Sequence, residues 1–256
     1  MECPTGYHVM NAQVSPSIIL RTREVGESDL IVTFFTAEKG RLKGIAKGAR
    51  RSRKRFVNCL DLFSLSSLEY SIKPGYDFYF LHSGKLLENF PSLRSDYTLV
   101  SLAGYLVELT EMLFPVNVPD ANMFKLLSKV FNALHEGVNG AVIRALFEAR
   151  AMTLGGFRIQ LDKCCRCGRP YHGEGRAAFQ CARGGIACLK CERETAGSPG
   201  LGPISVNFLE GLQSGWWPEN ESFDLGANVL QELQPVLKQH IAYRIEKRLK
   251  TLAYLS

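Results

Sequence analysis

The chain has 256 residues, 46% of them hydrophobic and 22% charged, an ordinary composition for a globular protein that excludes wholesale disorder. No apolar run approaches the roughly 18 residues that mark a membrane-spanning helix. The formal net charge is +6, and the length allows one large domain or two modest ones, each with its own core.

The opening residues, "MECPTGYHVMNAQVSPS", lack a charged start followed by an apolar stretch, so no secretory signal is read and a cytoplasmic protein is expected. Residues 1–14 have no periodicity and are expected to form a flexible N-terminal extension. Short runs rich in Ile, Val, Phe, Tyr and Thr follow at 17–24, 29–38, 41–49, 62–72 and 77–88, with "GES", "EKG" and "KPG" breaking most of them. Five short strands within residues 15–88 suit a small antiparallel barrel. An OB-fold is the leading candidate, and the pattern alone does not exclude an SH3-like barrel.

From residue 89 the pattern turns helical. Apolar residues recur at three- and four-residue spacing over 96–114, 121–137 and 141–156, with Gly137 and the Gly155–Gly156 pair as stops. A last amphipathic helix is expected over 227–252, kinked or begun at Pro235. Between these helices, at about 161–196, lies a cysteine-rich insert. The expected fold is therefore α+β and multidomain: a five-stranded OB-fold barrel over 15–88, then a helical domain over 89–256 carrying the insert.

Charge is concentrated in one place. Nine basic residues and no acid lie between Lys39 and Arg55, leaving 22 basic against 25 acidic residues elsewhere. Such a concentration attracts polyanions through its local field. On a strand over 41–48, Arg41, Lys43, Ile45 and Lys47 share one face while Leu42, Gly44, Ala46 and Gly48 suit a tight interior. The basic stripe then runs into "RRSRKR". Arg41, Lys43, Lys47, Arg50, Arg51, Arg53, Lys54 and Arg55 are the candidate phosphate contacts, for binding that is largely independent of sequence and weakens with salt. Among the nearby aromatics, Phe34, Phe35, Phe56, Tyr70, Tyr76, Phe78, Tyr79 and Phe80, most are expected in the core and some as stacking platforms for bases.

Six of the eight cysteines lie between Cys164 and Cys191. Cys164-x2-Cys167 and Cys188-x2-Cys191 have the spacing of two turns that present four thiolates to one tetrahedral zinc. Four cysteine ligands close the coordination sphere, so the ion would be structural. Cys165 and Cys181 are surplus thiols that leave the choice of ligands slightly open. His172-Gly173-Glu174 followed by Cys188-x2-Cys191 loosely resembles a zinc nucleotide deaminase. That reading leaves Cys164 and Cys167 without a role and lacks a proline before Cys188, so a solvated loop is preferred. No phosphate loop, nucleophile elbow or H-E-x-x-H motif is present, and no catalytic role is expected.

The stretches "IILRTREVGESDLIVTFFTAEKGRLKGIAKGARRSRKRF", "LDKCCRCG" and "GGIACLKC" closely resemble the bacterial RecO family of recombination mediators, over about residues 15–256. The resemblance implies an N-terminal OB-fold, a helical domain and a zinc site at Cys164, Cys167, Cys188 and Cys191. It further implies binding of single- and double-stranded DNA, ATP-independent annealing, cooperation with RecR, contact with the tail of the single-strand-binding protein SSB, and loading of RecA onto coated strands, at the nucleoid during repair. Arg144, Arg150, Lys238, Arg244 and Lys247 are candidate cations for the acidic SSB tail. An RNA- or ribosome-binding barrel with a zinc ribbon is the alternative left open by a generic cationic surface. The N-terminal extension, Cys165 and Cys181 depart from the family pattern.

Overall fold

The computed structural model describes residues 12–218, 226–245 and 247–255. Its five N-terminal strands are β1 (Gln13–Val25), β2 (Asp29–Thr36), β3 (Gly40–Ala46), β4 (Leu65–Ile72) and β5 (Tyr79–Glu88). They close into a barrel in the order β1-β2-β3-β5-β4, with β4 returning to β1. Every pairing is antiparallel except β3 with β5, where Gly44 meets Tyr79 and Ile45 meets Phe80 in parallel. A register shift between Ile19 and Arg21 bends the long β1, and such bends let one strand pair on both sides of a small barrel.

Strand alternation fills the interior. Ile19, Val32, Phe34, Leu42, Leu68, Tyr70 and Leu81 form the buried cluster, and Phe34 meets Tyr70 edge to face with ring centroids 5.2 Å apart. The extension expected at 1–14 lies outside the described residues except for its last three. Of these, Gln13 and Val14 pair with Tyr70 and Glu69 in the barrel.

Six helices follow among the described residues: α1 (Ser92–Ser95), α2 (Tyr97–Leu113), α3 (Ala121–His135), α4 (Gly140–Leu154), α5 (Pro203–Ser214) and α6 (Ala227–Arg244). Asn139 caps α4 by accepting from the Ala141 amide at 2.9 Å. Between α4 and α5 a small sheet of β6 (Ala177–Gln180), β7 (Gly185–Cys188) and β8 (Gly200–Leu201) has the order β7-β6-β8. The chain divides into two compact units. One runs to Ala103 and includes Phe114–Asn132; the other comprises Gly104–Leu113 and Ala133–Ser256. In the second unit α4, α5 and α6 pack on one another around Leu146, Leu209, Leu233 and Leu237, all buried.

One expectation is corrected here. The last helix ends at Arg244, capped by Ile245, instead of reaching 252; a separate 3-10 turn covers Thr251–Tyr254. Glu108 is the physical reason, because its carboxylate accepts from the Lys250 and Thr251 amides, both at 2.9 Å, and fixes a new helical start there. Of the two readings of Pro235, its place inside α6 excludes the helix start and leaves the kink. Helix α5 was not expected at all.

Candidate metal centre and nucleic-acid interface

The basic segment begins on β3, whose residues alternate between buried and accessible from Gly40 to Ala46. Leu42, Gly44 and Ala46 point inward, while Lys43 and, beyond the strand, Lys47 are exposed. Gly48 turns the chain with φ +66, its amide donating to Asp29 Oδ1 at 2.8 Å, into a 3-10 turn at Ala49–Arg51. Arg55 donates to the Lys47 carbonyl at 2.7 Å and stacks 5.2 Å from the Phe56 ring, and Phe56 is buried. These bonds make the run a folded loop rather than a loose tail.

The cations of the segment have different employment. Arg41 donates from Nε to the Phe114 carbonyl at 3.1 Å and is half-buried. Arg50 and Arg51 pair with Glu24 and Glu27, each at 3.1 Å, on the exposed surface, where such pairs contribute little. Among the described residues Lys43, Lys47, Arg53 and Lys54 make no ion pair. Their field is therefore free to act on an incoming anion.

The insert brings its two cysteine pairs together. The Cys164, Cys167, Cys188 and Cys191 thiol sulfurs all lie within 4.8 Å of one another, and Cys167 Sγ is 3.9 Å from Cys188 Sγ. Tetrahedral bonds of about 2.3 Å to zinc imply sulfur separations of about 3.8 Å, so the donors fit. The first turn is held by Gly168 donating to the Cys164 carbonyl at 2.9 Å and by Cys165 donating to Ile186 of β7 at 2.8 Å. The second carries the Cys191 amide back to the Cys188 carbonyl at 2.8 Å.

Electrostatics agree with that geometry. Burial alone would raise the Cys164 thiol, but the Cys167 and Cys188 amides, donating to its sulfur at 3.5 and 3.4 Å, outweigh burial and bring it down to about 6. Hydrogen bonding of the Cys191 thiol to Cys188 and then Cys167 pushes it up to about 12. Four crowded thiols thus resist complete ionisation unless a cation neutralises them. These four form the one metal-capable group among the described residues. Cys165 lies outside it, and Cys181 bonds the Gln239 carbonyl of α6 at 3.2 Å. His172 and Glu174 are exposed on a loop, flanking Gly173 and followed by Gly175, both glycines at positive φ.

Sequence reasoning named Arg144, Lys238 and Lys247 among its candidate cations but did not locate the groove of the second unit that they edge. It measures about 310 Å³; Tyr105, Ile241, Ile245, Leu249 and Leu252 supply its apolar wall, and Arg144, Lys238, Lys247 and Arg248 edge it. Two of its lining residues are held by the buried Glu148, whose Oε1 accepts from Tyr105 at 2.5 Å and from Arg144 Nε at 2.8 Å. Burial raises the Glu148 carboxyl, and Arg144 opposes that rise. Of the other candidate cations, Arg150 is spent on the Gln213 carbonyl at 2.7 Å, and Arg244 stacks on Tyr243 at 5.3 Å. The four-, four- and three-residue spacing of Ile241, Ile245, Leu249 and Leu252 was the available signal.

A closed β1-β2-β3-β5-β4 barrel with a cationic edge, followed by helices and a four-cysteine insert, is the build of a multidomain OB-fold protein with a metal-binding knuckle. Residues 10–90 match the family described as Recombination protein O N terminal, and residues 94–253 match Recombination protein O C terminal. The chain belongs to the RecO family of DNA repair proteins. It is 34% identical over 240 residues to the DNA repair protein RecO of Syntrophus aciditrophicus (strain SB), covering 93% of this chain and 92% of that one. The protein of the same name from Anaeromyxobacter sp. (strain K) is 33% identical, covering 93% of each chain. That of Syntrophobacter fumaroxidans (strain DSM 10017 / MPOB) is 37% identical over 179 residues, 70% of this chain and 71% of that one.

Proposed function

We propose that this chain is a cytoplasmic recombination mediator. It binds single- and double-stranded DNA, anneals complementary strands without ATP, and with RecR helps load RecA onto SSB-coated strands. The observation that carries this reading is the set of cations Lys43, Lys47, Arg53 and Lys54, without an ion pair among the described residues, on the edge of an OB-fold barrel in a RecO-family chain. Annealing needs two polyanions brought together, and fixed cations lower the repulsion between them without reading bases. Arg50, Arg51 and Arg55 extend the same surface, their partners being exposed acids or backbone that exchange readily with phosphate. Arg41 supports the strand more than it contacts DNA, since its guanidinium already serves the Phe114 carbonyl. The work is binding and positioning, and no residue is assigned a catalytic step.

Cys164, Cys167, Cys188 and Cys191 would hold one zinc ion, which supplies a structural crosslink with no open position for water. The cation-edged groove suits the SSB tail, an acidic peptide ending in phenylalanine. An aromatic ring fits the wall of Ile241, Ile245 and Leu249, and carboxylates meet Arg144, Lys238, Lys247 and Arg248. The test is annealing of complementary single strands coated with SSB, without ATP, in the presence of excess competing RNA. Acceleration that survives RNA is expected. No acceleration, or abolition by the competing RNA, would refute the DNA reading and favour an RNA-binding barrel.

A further inference from the structure

The aromatic residues near the barrel fall into two sets. Phe34, Tyr70 and Tyr79 are buried inside it. Tyr76, Phe78 and Phe80 are not: they lie on the β4–β5 hairpin and the first outward position of β5, and Tyr76 is 48% exposed. Their rings form a closed triangle, with centroids 5.4 Å apart for Tyr76 and Phe78, 5.3 Å for Tyr76 and Phe80, and 5.3 Å for Phe78 and Phe80. Lys73 Nζ stands 4.8 Å from the Phe80 centroid. The hairpin is tied by the Tyr76 amide donating to the Lys73 carbonyl at 3.2 Å, around Gly75 at φ +80.

Packing does not account for this cluster. The triangle lies on the outer side of a strand whose inner side, at Tyr79 and Leu81, already fills the barrel. Tyr76 is exposed while Phe78 and Phe80 are half-buried, and a contiguous aromatic patch left partly open to solvent in this way marks an interaction surface. Its neighbours indicate for which ligand. Phe80 is the cross-strand partner of Ile45, so it shares a face with Lys43, two residues back on β3, and Lys47 follows on that side just past the strand end. Both lysines are exposed and without an ion pair among the described residues, and Asp77 is the one acid of the hairpin.

We propose that Tyr76, Phe78 and Phe80 form a stacking platform for the unpaired bases of single-stranded nucleic acid, with Lys43, Lys47 and Lys73 holding its phosphates. This rests on the reading of the barrel edge as a DNA surface and adds strand selectivity to it. Aromatic faces bind bases of any sequence, but only where the base is unstacked. A duplex meets the same cations yet hides its base faces. The mutual ring contacts hold the platform in place before the strand arrives, which reduces the ordering cost of binding.

The experiment measures affinity of the full chain and its Tyr76→Ala and Phe80→Ala variants for an oligothymidylate, an abasic oligonucleotide of equal length and a duplex. Each variant is expected to lose about tenfold on oligothymidylate and to keep its affinity for the other two. A Tyr76→Trp variant should retain affinity and report bound oligothymidylate by quenching of its added fluorescence. Unchanged oligothymidylate binding overturns the platform, as does an equal loss on all three ligands or failure of Tyr76→Trp to bind. If the unaltered chain binds neither strand nor duplex, the DNA reading falls with it. If it binds both and the variants match it, the platform alone falls.

Discussion

Gly44 lies directly opposite Tyr79 where β3 and β5 pair in parallel, and a Cβ at Gly44 would stand 3.1 Å from the Tyr79 carbonyl oxygen and 2.1 Å from Leu81 Cδ1. The barrel closes at a point with no room for a side chain. Gly44→Val should therefore cost on the order of 3 kcal/mol, through overpacking at the seam. Urea unfolding monitored on the whole chain checks this, and a variant as stable as its parent would show that the seam is open.

Removing metal should loosen the insert. Protein treated with a zinc chelator should release about one equivalent of zinc and show four newly reactive thiols from the Cys164, Cys167, Cys188 and Cys191 cluster. Cys164→Ser should give the same loss of metal, and the melting temperature should fall in both cases. Metal content unchanged by Cys164→Ser would reject the cluster as the site.

Acid should act through Glu232. Burial would raise its carboxyl, but the Ser205 hydroxyl at 2.6 Å, the Gly202 amide at 2.8 Å and Arg176 hold it below its ordinary 4.5. A depressed folded value means the stabilisation is complete above pH 4.5 and is lost as pH falls through the folded value. Glu232→Gln should cost about 1–3 kcal/mol at pH 7, the scale of bonds to a charged group, with the difference from the parent shrinking below pH 4.5. Denaturation at several pH values measures it, and a gap that stays constant into acid would contradict the assignment.

The groove of the helical unit makes a separable prediction. Lys238→Glu with Arg248→Glu reverses two exposed charges on its rim. Binding of an acidic peptide ending in phenylalanine should weaken at least about tenfold, the scale of losing two charge contacts. DNA affinity in the absence of the peptide should fall much less. Fluorescence anisotropy with each labelled ligand distinguishes the two effects.

Local chemistry made most of the fold legible. The β-branched runs between turn residues located all five barrel strands, and the cysteine spacing located the cluster, because both signals are short in range. Contacts between distant residues were not legible. The two-residue β3–β5 pairing leaves no periodic trace, and the leucine repeat toward 252 carried no sign that Glu108 would take the amides of Lys250 and Thr251. Helix α5 was hidden by its short length and by Gly211, a residue that weakens helices. Cation runs likewise did not distinguish Arg41, spent on a carbonyl, from Lys43 two residues away, which makes no ion pair among the described residues. Partner identity depends on the folded geometry.

If the cations of the barrel edge hold nucleic acid, DNA affinity measured against salt concentration separates the parent from Arg53→Glu with Lys54→Glu. Binding to both single strands and duplex is expected to weaken, with the slope of log affinity against log salt reduced by about two. Affinity and slope both unchanged would show that these cations do not hold DNA.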